Sequence, residues 1–226
     1  MSYPQLQMLI AGEWTNGTSG VTENVICPAD GTVLGELPHA SKEDLDDALN
    51  SSFEGFNKWR SETPLNRQSI LEKAAKILER EFEKNSENLT REMGKPLVEA
   101  KIEMQVAIDL LRWYGEEGKR VYGRIIPSRI PNMEHEARKV PVGPVLAFVA
   151  WNFPATNVMR KVAGALAAGC SITIKPSEET PATAIAIGKA LMEAGLPAGV
   201  LNIVFGVPSE VSCLLYTSPS PRDRVR

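Results

Sequence analysis

Trp151-Asn152-Phe153-Pro154 sets a carboxamide between two large apolar side chains, directly after the apolar run Val145-Leu146-Ala147-Phe148-Val149-Ala150. Flanking groups of that size would hold the Asn152 amide in a partly dry crevice. A preorganised amide there can stabilise an oxyanion, an effect worth about 3 kcal/mol. Asparagine after a strand is also a routine turn residue. A second cluster is Lys175-Pro176-Ser177-Glu178. Lys175 can donate to a ribose or phosphate oxygen, and Glu178 can accept from ribose hydroxyls. The same four residues would also make an ordinary solvated turn. Arg160 lies two helical turns beyond Asn152 in a stretch otherwise poor in charge. A fixed guanidinium suits a carboxylate, although a surface or interdomain ion pair would use it equally well. Cys170 is an unattractive nucleophile. It opens a buried strand after Gly169, with neither a histidine nor a helix amino terminus beside it. Cys27, Cys170 and Cys213 have no metal-ligand spacing and form no paired framework.

The elements that must carry these residues follow from the pattern. Val145–Ala150, Ser171–Ile174 and Val200–Val204 are short apolar runs, and residues 154–169 and the stretch from Thr180-Pro181 to Gly195 between them are helical. Strand, helix, strand, helix, strand at this spacing predicts a βαβαβ unit with a parallel sheet and right-handed crossovers. Ligands in such sheets lie beyond the carboxyl ends of the strands. Trp151–Pro154, Lys175–Glu178 and Phe205-Gly206-Val207-Pro208 occupy those ends. The helix from Thr180 would point its dipole at the same edge. No Gly-x-Gly-x-x-Gly follows the first strand, so a nucleotide would need another arrangement.

Upstream, turns at Asn16-Gly17 and Pro28-Ala29-Asp30-Gly31 predict short strands and hairpins. Ser41 with Asp44, and Thr63 with Pro64, read as helix starts, and Gly94-Lys95-Pro96 as a helix end. The apolar series Val98, Ile102, Val106, Leu110, Trp113 predicts one more helix. Charged helices of this kind are expected to coat a core and do no chemistry. Residues 120–142, punctuated by Gly123, Pro127 and Pro131, predict a hairpin arm with His135 facing solvent. Such an arm serves subunit contact or stands as a plain surface loop.

Composition sets the outer limits. With 226 residues, 43% of them hydrophobic, the chain can bury a core. A formal charge of -3 gives no strong attraction to nucleic acid or anionic lipid. No apolar run is long enough for a membrane span, and the opening residues do not look like a signal peptide. The expectation is a reduced, cytoplasmic protein without metal, nucleic-acid or membrane partners.

Taken together, Trp151–Pro154, Gly164-Ala165-Leu166-Ala167-Ala168-Gly169-Cys170 and Lys175-Pro176-Ser177-Glu178-Glu179-Thr180-Pro181 resemble the aldehyde dehydrogenase superfamily. Ile10-Ala11-Gly12-Glu13-Trp14 and Met93-Gly94-Lys95-Pro96 extend the likeness, which covers nearly the whole chain to about Ser212. Trp113–Gly123 and Met159–Gly164 look closest to the succinate-semialdehyde dehydrogenases. The resemblance implies an α/β fold, the amino-terminal part of the family's architecture, with helices and a truncated Rossmann-like βαβαβ parallel sheet. Residues 1–119 would be strands and helices of the cofactor-binding domain, 120–142 an oligomerisation arm, and 143–212 the βαβαβ part. It also implies roles: Asn152 as oxyanion donor, Trp151, Lys175, Ser177, Glu178 and Gly206 as the cofactor group, and Arg160 on the far carboxylate of the substrate. Glu178 near the ribose favours NAD over NADP, because a carboxylate repels a 2′-phosphate. The implied substrate is a small aldehyde, with succinate semialdehyde ahead of glutarate semialdehyde, betaine aldehyde or an aromatic aldehyde. A non-catalytic binding relative is the alternative from another class. The full-length protein is expected to be a homodimer or homotetramer. One departure is Ala150, where the family usually has proline.

Two expectations concern the end of the chain. Cys213-Leu214-Leu215-Tyr216-Thr217-Ser218-Pro219-Ser220-Pro221-Arg222-Asp223 breaks the family pattern and resembles a translated sequencing adapter, so 213–226 reads as non-native. The resemblance further implies a cysteine nucleophile and a glutamate that assists water. Both would lie in a part of the family's sequence that this chain does not contain, leaving it inactive alone.

Overall fold

The computed structural model describes residues 3–209 and 211–212. The adapter-like segment from Cys213 onward lies outside the described residues. Near the amino terminus, β1 (Met8–Ile10) and β2 (Glu13–Thr15) form a tight hairpin that turns at Ala11-Gly12, ahead of the turn expected at Asn16-Gly17. Ala11 and Gly12 both adopt positive φ, the signature of a two-residue hairpin turn. The Ala11 N–H is held by the Asn202 side chain at 2.9 Å. A second hairpin follows, β3 (Thr22–Ile26) with β4 (Val33–Pro38), around the expected turn.

Four helices come next. In α1 (Lys42–Trp59) Ser41 and Asp44 cap each other reciprocally, and in α2 (Pro64–Arg80) Thr63 caps ahead of Pro64. α3 (Phe82–Met93) ends at Gly94, whose φ of 82° is the left-handed stop that glycine permits. α4 (Leu97–Gly118) forms as predicted but presents a different face. Val98, Ile102, Val106 and Trp113 are exposed, Trp113 at 63%, whereas Ala100, Glu103, Met104, Ala107, Ile108 and Leu111 face inward. Alanine, methionine and glutamate make the helix-packing seam, because small side chains let α4 lie close to α2 and α5.

The arm then forms from β5 (Arg124–Pro127) and β6 (Glu134–Ala137), pairing Ile125 with Glu136 and Ile126 with His135. The two strands thus lie within the expected arm. Every residue of both strands is exposed. After it come β7 (Val145–Phe148), α5 (Pro154–Ala168), β8 (Ile172–Lys175), α6 (Pro181–Glu193) and β9 (Leu201–Ile203). β7, β8 and β9 pair in parallel as expected. The sheet continues through the amino-terminal hairpin, in the order β2-β1-β9-β8-β7, with β1 antiparallel to β9. Asn202 fastens this junction from the core. Its amide spans the Ala11 N–H, the Ser51 hydroxyl at 3.0 Å and the carbonyls of Ala48 and Gly199 at 3.2 and 3.3 Å. α1 crosses so closely that a Cβ on Gly55 would sit 2.3 Å from the Gly199 carbonyl carbon.

Candidate active site

The carboxyl ends of β7, β8 and β9 lie side by side. Val149 N–H donates to Lys175 O at 3.0 Å, and Val204 N–H to Ile174 O at 3.0 Å. This ladder brings Trp151–Phe153, Lys175–Glu178 and Phe205–Gly206 to one edge. Lys175 is buried, and its ammonium meets Glu178 Oε1 at 2.5 Å and Pro176 O at 3.3 Å. Gly206 N–H donates to the same Glu178 oxygen at 3.2 Å. Gly206 has φ +151°, and a Cβ there would crowd Val211 at 3.1 Å. Lys175, Glu178 and Gly206 are thus assembled, whereas the Ser177 hydroxyl is turned to Glu179. An ammonium beside a carboxylate suits a vicinal diol, whose hydroxyls both donate and accept. The donor set therefore fits a nucleotide ribose.

The helix that the sequence aims at this edge is not available to a ligand. The Thr180 side chain accepts no hydrogen bond from the first N–H groups of α6, and its hydroxyl is buried without a partner among the described residues. Glu92, from α3, caps the helix instead. Its carboxylate accepts from Ala182 N–H at 2.8 Å, Thr183 N–H at 3.1 Å, the Thr183 hydroxyl at 2.5 Å and the Tyr3 hydroxyl at 2.7 Å. Burial pushes the Glu92 carboxyl up to about 7, against the four donors that pull it down. Burial, with Glu92 beside it, also holds the Tyr3 phenol well above its ordinary range.

α5 is treated the same way. Phe153 provides no side-chain cap, and Glu103 from α4 accepts from Ala155 N–H at 2.8 Å and Thr156 N–H at 3.1 Å. The other Glu103 oxygen is paired with Lys95. At the far end, Trp59 Nε1 and Arg67 Nε donate to the last carbonyls, Leu166 O at 2.9 Å and Ala167 O at 3.1 Å. A buried carboxylate at each amino terminus leaves neither helix free to receive a phosphate.

α5 carries the rest of the site. Asn152 Oδ1 accepts from Asn157 Nδ2 at 3.4 Å, which leaves Asn152 Nδ2 without a partner among the described residues. Asn157 and Arg160 are three residues apart and share a face of the helix. Arg160 is exposed and makes no ion pair or hydrogen bond among the described residues. The turn differs from expectation in one respect. Trp151 and Phe153 are about half exposed (52% and 51%), and Asn152 is exposed, so the residues described here do not make the crevice dry. Cys170 is buried at 2% on the strand side of α5, consistent with a packing role.

Sequence reasoning missed Lys95, Glu103, Glu92 and Asn157. Glu103 had a readable signal: it falls on the Ala100-Met104-Ala107-Leu111 face, where a charge needs a buried partner. Lys95 stands between Gly94 and Pro96, in a segment whose sequence signals only a helix end.

The strand ends of the open α/β sheet thus hold Lys175, Glu178 and Gly206 together, with the exposed Asn152 at the same edge and the exposed Arg160 on the helix that follows it. The aldehyde dehydrogenase family model matches residues 14–223, and the chain belongs to that family. A 4-(hydroxymethyl)benzenesulfonate dehydrogenase of Comamonas testosteroni is 45% identical over 216 residues, covering 96% of this chain and 45% of that protein. The NADP(+) succinate-semialdehyde dehydrogenase of Escherichia coli K12 is 36% identical over 216 residues, with the same coverage of 96% and 45%. The crystal structure of succinate-semialdehyde dehydrogenase from Burkholderia pseudomallei superposes with a TM-score of 0.93 at 37% identity, over 95% of this chain and 45% of that one. The chain thus spans about 45% of the length of these relatives.

Proposed function

We propose that this chain is the oxyanion-stabilising, substrate-anchoring and partial cofactor-binding part of an NAD(P)-dependent aldehyde dehydrogenase acting on an aldehyde with a remote anionic group, with succinate semialdehyde the leading substrate. The observations that carry this reading are the Asn152 side chain in the turn before α5, whose Nδ2 has no partner among the described residues, and the exposed Arg160 of α5, which makes no ion pair among them. In this reading Asn152 Nδ2 donates to the oxygen of the tetrahedral adduct, where negative charge develops. Arg160 holds the far carboxylate by a charge-assisted pair and so fixes the length of substrate accepted. Lys175 and Glu178 take the ribose hydroxyls, Gly206 leaves room for the base, Ser177 closes the turn, and Trp151 lies against the nucleotide. The bound nucleotide supplies the hydride acceptor. The thiolate and the glutamate that activates water belong to the part of the family's length that this chain does not span. NAD is favoured over NADP because Glu178 stands at the ribose. The exposed arm at 120–142, with Ile125 and Ile126 on its surface, serves subunit contact in a homodimer or homotetramer.

One observation favours a second substrate. The Comamonas relative is named for a sulfonate, and 4-formylbenzenesulfonate would pair its sulfonate with the same Arg160. The site test is Asn152→Ala in the full-length enzyme carrying this segment. The single-turnover rate of reduced-nucleotide formation should fall about a hundredfold or more, with nucleotide affinity unchanged. An unchanged rate would remove Asn152 from the oxyanion role.

A further inference from the structure

Lys95 and Glu103 stand behind the Asn152 turn and are almost fully buried, at 8% and 4% exposure. Charged residues of this kind are rarely buried unless paired, and a buried pair adds little net stability over apolar packing. Their contacts concentrate on one short segment. Lys95 Nζ binds Glu103 Oε2, lies 3.5 Å from the carbonyl oxygen of Asn152 and sits 4.5 Å from the centroid of the Phe153 ring. Glu103 Oε1 takes the N–H groups of Ala155 and Thr156. Between them the two side chains grip residues 152, 153, 155 and 156 from the core side, while the outer side of the turn is open. Lys95 is itself held rigidly. Gly94 adopts a left-handed conformation packed on Pro28, where a Cβ would come within 2.8 Å, and Pro96 disfavours the helical region for Lys95, the residue before it.

We infer that Lys95, seated by Glu103, is a positioning residue that orients the Asn152 amide toward the oxyanion. Holding the Asn152 carbonyl and the Phe153 ring restrains the peptide plane between the two residues, and with it where the Asn152 Cβ is placed; the Asn157 contact restrains the rest of the side chain, through Oδ1. A donor misplaced by about 1 Å loses much of its value at the transition state.

The inference rests on the oxyanion reading of Asn152, and a double-mutant cycle separates the two. The variants are Lys95→Met, Lys95→Arg, Asn152→Ala and Lys95→Met/Asn152→Ala, made in the full-length enzyme and assayed by single turnover with succinate semialdehyde and NAD. Lys95→Met should slow the step about tenfold, with aldehyde KM and nucleotide affinity changed by less than about twofold, and Lys95→Arg should recover most of the rate. On the Asn152→Ala background, Lys95→Met should cost less than about twofold more, because the donor it orients is gone. Should Lys95→Met fail to fold, Lys95→Met/Glu103→Gln removes both charges, keeps an acceptor for Ala155 and Thr156, and should show the same rate pattern. A full tenfold loss persisting without Asn152, or an unchanged rate in Lys95→Met, overturns the positioning role while leaving the oxyanion reading intact. An unchanged rate in Asn152→Ala overturns the oxyanion reading, and the positioning role with it.

Discussion

At the scale of single residues, the site is built from groups whose neighbours decide what they can do. Glu178 is the clearest case. Its carboxylate is shared between Lys175 Nζ and Gly206 N–H, so it both occupies the ammonium and presents negative charge at the strand ends. Both effects oppose a 2′-phosphate. Glu178→Ser would remove the repulsion and free Lys175 to pair with the phosphate. In the full-length enzyme the ratio of specificity constants, NADP over NAD, should then rise about tenfold, equivalent to ~1.4 kcal/mol. An unchanged ratio would move the ribose site elsewhere. Asn152, Lys175, Glu178 and Gly206 were legible in the sequence because turn residues at consecutive strand ends must share an edge. Lys95 and Asn157 were not. Their partners lie across the fold or around a helix end, and no local spacing announces such contacts.

At the scale of elements, the two crossover helices share one design. Each begins with proline, lacks a cap from its own N-cap residue, and takes a buried glutamate from a different helix: Glu103 for α5 and Glu92 for α6. The strands, helices and parallel order were readable from hydrophobic period and turn chemistry. The burial of α4 was not, because its apolar stripe faces outward while alanine and a paired glutamate pack inward. The Glu92 cap has a consequence for pH. Its carboxyl is raised from an ordinary value of 4.5 to about 7 in the folded state. Between those values the folded chain holds a proton that the unfolded chain releases. The contribution to stability is therefore complete below about 4.5 and is lost as pH rises through about 7, by on the order of 3 kcal/mol. Denaturant midpoints at pH 5 and pH 8 should show this fall in the parent protein and lose it in Glu92→Gln. Parallel profiles for the two proteins would contradict the assignment.

At the scale of the whole molecule, the chain presents surfaces that single-residue arguments do not explain. The Trp151–Phe153 turn, the outer stripe of α4 and the arm are all exposed, and the chain spans about 45% of its relatives' length. The proposed chemistry divides along that line: orientation and charge stabilisation on this part, nucleophile and water activation on the remainder. Family membership follows from the match over 14–223, and in the function proposed above substrate choice turns on Arg160. Arg160 is exposed on α5 and, like the neighbouring Lys161, makes no ion pair among the described residues, but its guanidinium alone offers the fork that suits a carboxylate. The decisive measurement compares specificity constants for succinate semialdehyde and an uncharged aldehyde of similar length, in the full-length enzyme and its Arg160→Ala and Arg160→Lys variants. Arg160→Ala should cost ~2–4 kcal/mol on succinate semialdehyde and almost nothing on the uncharged aldehyde. Arg160→Lys should restore part of the loss, because a point ammonium lacks the guanidinium fork. Equal losses on both aldehydes would contradict the account and leave Arg160 as a support of the fold.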